Sequence, residues 1–155
     1  MTIVFFDTEF THLGKDPKLI SIGLVSEDGS RTFYAELTDT YRLADCSDFV
    51  RDEVLPLLEG GGCQMRFEEV AHRLSEWLQA FGDQVVLATD SETYDWSWIQ
   101  QLFWRLDGWP TWVSHKPLLL TFGNESSLIL ESNSSRPHHA LDDAKRNRGH
   151  FMNRT

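Results

Sequence analysis

The chain is short of cysteine, of basic residues and of long apolar runs, and each shortage excludes a class. Its two cysteines, Cys46 and Cys63, make neither a CxxC pair nor a disulfide framework; both are expected as reduced thiols without a catalytic signature. No apolar run approaches the roughly 18 residues a membrane helix needs; IVFF at 3–6 and PLLL at 117–120 are among the longest. Asp7 and Glu9 stand where the apolar stretch of a secretory signal would lie. The expectation is a cytoplasmic protein without membrane contact. Basic residues number 14 against 24 acidic ones, a net charge of −10, which argues against a general nucleic-acid binder with a broad basic footprint. Repeats and low-complexity tracts are missing as well.

What is present suits one domain over residues 1–155. The length lies within the roughly 100–200 residues of a single core, large enough to need no staples. A content of 41% hydrophobic and 25% charged residues excludes collagen-like, coiled-coil and disordered chains. The charge is uneven: residues 136–155 carry +3 and the remainder −13. A basic strip beside an acidic body is compatible with a site that meets phosphates through metal ions rather than lysines.

Thr2–Phe6 is apolar on both faces and reads as a central strand. Leu19–Ser26 and Arg31–Leu37 are two further strands, joined by a hairpin at Asp28-Gly29. Asp48 can cap a short helix through Leu55 that Pro56 disturbs, and Gly60-Gly61-Gly62 reads as a link. Phe67, Val70, Ala71, Leu74, Trp77, Leu78 and Phe81 recur at helical spacing up to Gly82. Gln84–Ala88 is a fourth strand, Thr93–Leu106 a tryptophan-rich helical stretch, and Trp112-Val113 a short fifth strand. Asn124–Ser135 reads as a loop, and Pro137 introduces a last helix over His138–Phe151. Antiparallel strands followed by alternating helix and strand imply an α/β fold with a mixed five-stranded sheet, an N-terminal meander and flanking helices.

Three segments could carry chemistry. Asp7 and Glu9 share a face if the strand continues, since residues i and i+2 point the same way. Two such carboxylates repel unless a cation or proton lies between them; if the strand has ended, both are solvated loop residues. Pro137-His138-His139-Ala-Leu-Asp142-Asp143 puts two histidines and two acids at a helix start, where acids also simply suit the macrodipole. Asp90 and Asp95, in Asp-Ser-Glu-Thr-Tyr-Asp-Trp-Ser-Trp, follow a strand, where sites gather in open α/β sheets, although either could serve as a helix cap.

In that order, D-x-E after the first strand, Tyr-Asp before an aromatic helix, and H-x-x-x-x-D near the C-terminus resemble the DEDDh 3′–5′ exonucleases of the ribonuclease H-like superfamily. Among these the chain is most similar to small stand-alone bacterial exoribonucleases, oligoribonuclease and ribonuclease T. The resemblance reaches from residue 7 to 143. It assigns the metal-holding carboxylates as Asp7, Glu9, Asp95 and Asp143, with His138 as catalytic histidine. Four residues separate His138 from Asp143 as the family pattern requires, so His138 is taken over His139. Asp95 is taken over Asp90 for its aromatic neighbourhood.

The resemblance implies a fold of ribonuclease H type and two divalent cations, Mg²⁺ or Mn²⁺, which suit a hard-oxygen cluster. Such ions activate water and stabilise the leaving oxygen. It implies that Asp7 bridges both, with Glu9 and Asp143 on the first, Asp95 positioning the second, and His138 taking the proton. The substrate implied is single-stranded nucleic acid, RNA more than DNA, and dimers are frequent among similar proteins. Phe10, Thr11, Leu13, Trp96 and Arg146 are the expected substrate contacts, although His12 replaces a usual glycine beside them. A DNA exonuclease and a catalytically silent nucleic-acid-binding domain are the competing readings.

Overall fold

A computed structural model describes residues 1–122 and 136–154. The apolar first segment forms β1, Thr2–Phe10, which runs past Phe6 and so contains Asp7 and Glu9. It pairs antiparallel with β2, Leu19–Ser26, which pairs antiparallel with β3, Thr32–Leu37. The turn between β2 and β3 is the expected one. Gly29 takes φ +78°, and the Asp28 carboxylate accepts from the Ser26 hydroxyl and the Ser30 N–H.

The sheet has six strands rather than five, in the order β4-β3-β2-β1-β5-β6. Two of them were not expected, β6 and β4; β4, Gln64–Met65, lies parallel to β3. Two residues are too few to show a period. Its position depends on Glu36, whose buried carboxylate accepts the N–H groups of Glu59 (2.6 Å) and Gly60 (2.8 Å) and turns the glycine run back along β3. β5, Val85–Thr89, lies parallel to β1, and β6, Leu118–Leu119, parallel to β5. The strand expected at Trp112-Val113 reduces to a single bridge between Val113 and Val85, because Val113 N–H folds back onto the Pro110 carbonyl.

Alternation along β1 divides the core between the two sheet faces. Val4 and Phe6 meet α1, Phe67–Gln79, and α2, Ser97–Trp104. Phe5 meets α3, Ala140–Met152, through Ala144 and Phe151. α2 follows a single wide turn over Glu92–Trp96, and a similar turn over Val50–Val54 stands where the Pro56-disturbed helix is expected. The last helix begins at Ala140 and not at His138, which has φ +68°, a left-handed value no α-helix contains. The loop expected at 124–135 lies outside the described residues. The architecture is an α/β fold with a mixed sheet between helices, compatible with the ribonuclease H-like fold. Among the described residues no helix is long and apolar enough to cross a membrane.

Candidate active site

Asp7 and Glu9 project from β1 towards the α3 side of the sheet, on the same face as Phe5. Gly23 of β2 lies directly opposite Asp7. A Cβ on Gly23 would stand 2.3 Å from the Leu141 Cα and 2.6 Å from the Ala140 carbonyl carbon, so the first turn of α3 rests on bare strand backbone. That contact carries Asp143, on the same turn, to Glu9.

His138 lies just before the helix. Its backbone N–H donates to Asp143 Oδ2 (3.1 Å), and its ring meets Phe49 edge-on at 5.0 Å. Ligand atoms of Glu9, His138 and Asp143 all lie within 4.8 Å of one another, and so do those of Asp7, Asp90 and Asp95. Asp95, from the turn after β5, is buried and held at both oxygens. Oδ1 accepts from the Thr8 hydroxyl (2.5 Å) and Oδ2 from the Thr89 hydroxyl (2.6 Å).

The electrostatics follow from crowding acids out of water. Burial, then the charges of Asp95, Glu9, Asp143 and Asp90, hold the Asp7 carboxyl well above the usual range. Burial and the neighbouring Asp143 push Glu9 up to about 8. Burial raises Asp95 to about 7 against the opposing threonine hydroxyls. Burial also raises Asp143, although Arg146 pulls the other way. Arg146 Nη2 is 2.8 Å from Asp143 Oδ1 without hydrogen-bond alignment, so that buried oxygen has no hydrogen-bond partner. Oxygen donors and one imidazole, one of the oxygens without a hydrogen bond, fit a hard divalent cation.

The remaining expected residues are placed as follows. Phe10 stacks on Tyr94 at 4.7 Å. Thr11 is fully buried and closes the loop: its N–H donates to the Lys18 carbonyl, and its hydroxyl accepts the Lys18 N–H. His12, in the usual glycine position, has Nε2 2.7 Å from the Lys15 carbonyl and Nδ1 3.2 Å from that of Asp45, pinning the loop. Leu13 stands 73% exposed in that loop. Trp96, expected beside substrate, is instead core, packed on Trp109. Arg146, expected near phosphate, is engaged with Asp143. His139 is buried, stacked on Tyr34 at 4.6 Å, with Nε2 3.3 Å from Glu59 Oε1.

Over residues 2–154 the chain matches the family model of the 3′-5′ exoribonuclease Rv2179c-like domain. The chain belongs to that family. Among its relatives are two proteins of Mycobacterium tuberculosis, 3′-5′ exoribonuclease Rv2179c (strain ATCC 25618 / H37Rv) and 3′-5′ exoribonuclease MT2234.1 (strain CDC 1551 / Oshkosh). Each is 36% identical over 97 residues, covering 61% of this chain and 52% of the relative. The chain thus spans about half the length of the curated relatives it matches.

In this Rv2179c-like domain, three side chains beyond the expected set join the centre. Thr8 was detectable, since the middle residue of D-T-E must face away from both acids. Thr89 had no such signal, being one more β-branched strand residue; Asp90 is a candidate with Asp95 by its place after a strand, and is set aside because it lacks the aromatic neighbourhood.

Proposed function

We propose that the chain is a metal-dependent 3′–5′ exoribonuclease of the DEDDh type. It shortens single-stranded RNA or 3′ overhangs from a free 3′ end and releases nucleoside 5′-monophosphates. The observation that carries this reading is the meeting of Asp7, Glu9, Asp95, Asp143 and His138, contributed by β1, the turn after β5, and the entry to α3. RNA is favoured over DNA by the family and by the names of the relatives.

Two divalent cations, Mg²⁺ or Mn²⁺, would supply Lewis acidity and a nucleophilic water at neutral pH when bound. Glu9 and Asp143 would hold one, Asp95 and Asp90 the other, and Asp7 both. Thr8 and Thr89 fix the Asp95 carboxylate, so its oxygens need little reorganisation. His138 takes the proton of the attacking water as general base. Asp143 orients His138 by accepting its backbone N–H. Exposed Leu13 meets the terminal bases, and the backbone near Phe10 holds the 3′-terminal ribose.

The test is a time course on 5′-labelled single-stranded RNA with Mg²⁺, Mn²⁺ or EDTA, beside Asp143→Asn. A metal-dependent ladder shortening from the 3′ end, absent in the variant, is expected. Faster cleavage of matched DNA would move the reading to a DNA exonuclease. No cleavage of either, with any metal, would leave the silent binding domain.

A further inference from the structure

The outer face of α2 is unused by the carboxylate centre. Trp98, Ile99, Leu102 and Phe103 point into the core, leaving Ser97, Gln101 and Trp104 on the other side of the helix, followed by Arg105. Trp104 is 87% exposed, whereas the other five tryptophans are buried or packed against the core. This face forms one wall of an open groove of about 1090 Å³, and the loop after β1, with Lys18, forms another.

The groove reaches the turn Glu92–Trp96, which carries Asp95. Tyr94 lines it, directly precedes Asp95, stacks on Phe10, and accepts the Gly14 N–H at 3.3 Å. From Tyr94 to Trp104 is ten residues, roughly 15 Å at helical rise. The two walls together offer a hydroxyl and an amide, two exposed cations and an exposed indole. Of the two carboxylates in the groove, Asp39 is engaged by the Phe67 N–H (2.8 Å) and by Arg66; Asp16 belongs to the loop wall. Cations that follow a backbone, beside an aromatic platform, are the chemistry that holds a single nucleic-acid strand without reading its sequence.

We propose that this groove binds the single strand upstream of the scissile 3′ end, with one base stacked on Trp104, so that oligonucleotides are held more tightly than dinucleotides. The proposal rests on the exoribonuclease reading of the adjacent centre. The adjacency of Tyr94 to Asp95, together with Lys18 and Arg105 in the groove, favours a phosphate-bearing strand over a second copy of the chain.

The test compares a dinucleotide with a 12-nucleotide RNA in the wild type, Trp104→Ala and Trp104→Phe. Loss of one stacked base is worth roughly 5- to 150-fold. Trp104→Ala is expected to raise KM for the 12-mer by about that factor, with kcat and dinucleotide hydrolysis unchanged, and Trp104→Phe to recover most of the loss. Equal effects at both lengths, or none at either, would overturn the proposal. So would loss of a dimer in sedimentation with length preference retained, since the indole would then face a second copy. Fluorescence anisotropy of a labelled 12-mer in EDTA separates the two readings. If the wild type hydrolyses no RNA, the exonuclease reading fails, yet weaker 12-mer binding by Trp104→Ala still supports the groove. Equal binding overturns it.

Discussion

His138 and His139 are neighbours in the chain with opposite surroundings. His138 lies with Glu9 and Asp143, whereas the His139 ring is buried between Tyr34 and Glu59. Replacing each by alanine should therefore produce different losses. His138→Ala is expected to lower RNA turnover by about 10²–10⁴-fold, the usual contribution of a general base, with an unchanged urea midpoint. His139→Ala removes a buried, stacked ring and should cost on the order of 2–4 kcal/mol of stability, while keeping turnover where the protein is folded. Unfolding curves and RNA time courses of the two variants, run in parallel, check this; matching profiles would refute the division of roles. Four-residue spacing to Asp143 separates the two histidines in the sequence, but it carries no information about burial. Trp96 shows the same limit: adjacency to Asp95 suggested substrate, and the helical turn directs its ring to Trp109.

At the level of elements, the centre depends on how closely α3 approaches β2. Gly23 sits in a fully buried strand where a side chain would otherwise pack, and its missing Cβ is the space that Leu141 occupies. Gly23→Ala should push the start of α3 off the sheet. The expected outcome is destabilisation of about 1–3 kcal/mol, as for other overpacked sites, and a larger loss of hydrolysis than of stability, because Asp143 and His138 ride on that turn. Denaturation midpoints and initial rates measured together check it; a variant with full activity would show that the close contact is dispensable. A glycine inside an apolar strand is a readable sign of close backbone approach, but nothing in the sequence names the approaching segment.

Across the whole molecule most acids lie at the surface, and Asp7, Glu9, Asp95 and Asp143 are a group drawn together largely out of water. Glu9 rises from 4.5 to about 8 and Asp95 from 3.8 to about 7. Between the low and high values the native state therefore holds more protons than the unfolded chain, and stability falls as pH rises. That contribution is complete below about pH 4 and gone above about pH 8. Thermal melts in EDTA are expected to show a falling midpoint from pH 5 to 8.5. Mn²⁺ or Mg²⁺ should raise the midpoint more at pH 8 than at pH 5, because cations bind the ionised carboxylates and are excluded by protons. Asp143→Asn, with one acid fewer, should flatten both trends. A metal-free midpoint that climbs across this range would contradict the crowded-acid description.

Patterns local to the chain were enough for much of this protein: the central first strand, the Asp28-Gly29 hairpin, the amphipathic helix over 67–79, and the ordered acids with a histidine five residues before the last. Each depends on periods of 2 or 3.6, turn chemistry or fixed spacing, which neighbouring residues supply by themselves. Tertiary structure decided what depends on separate segments meeting. Asp90 joined Asp7 and Asp95; Thr8 and Thr89 converged on one carboxylate from two strands; Glu36 turned the chain at the glycine run so that Gln64–Met65 pairs with β3; Trp96 went inward and Trp104 outward. Those outcomes follow from where β5 lies against β1 and where α3 lands on Gly23, since side-chain direction and desolvation are set by packed neighbours distant in the chain.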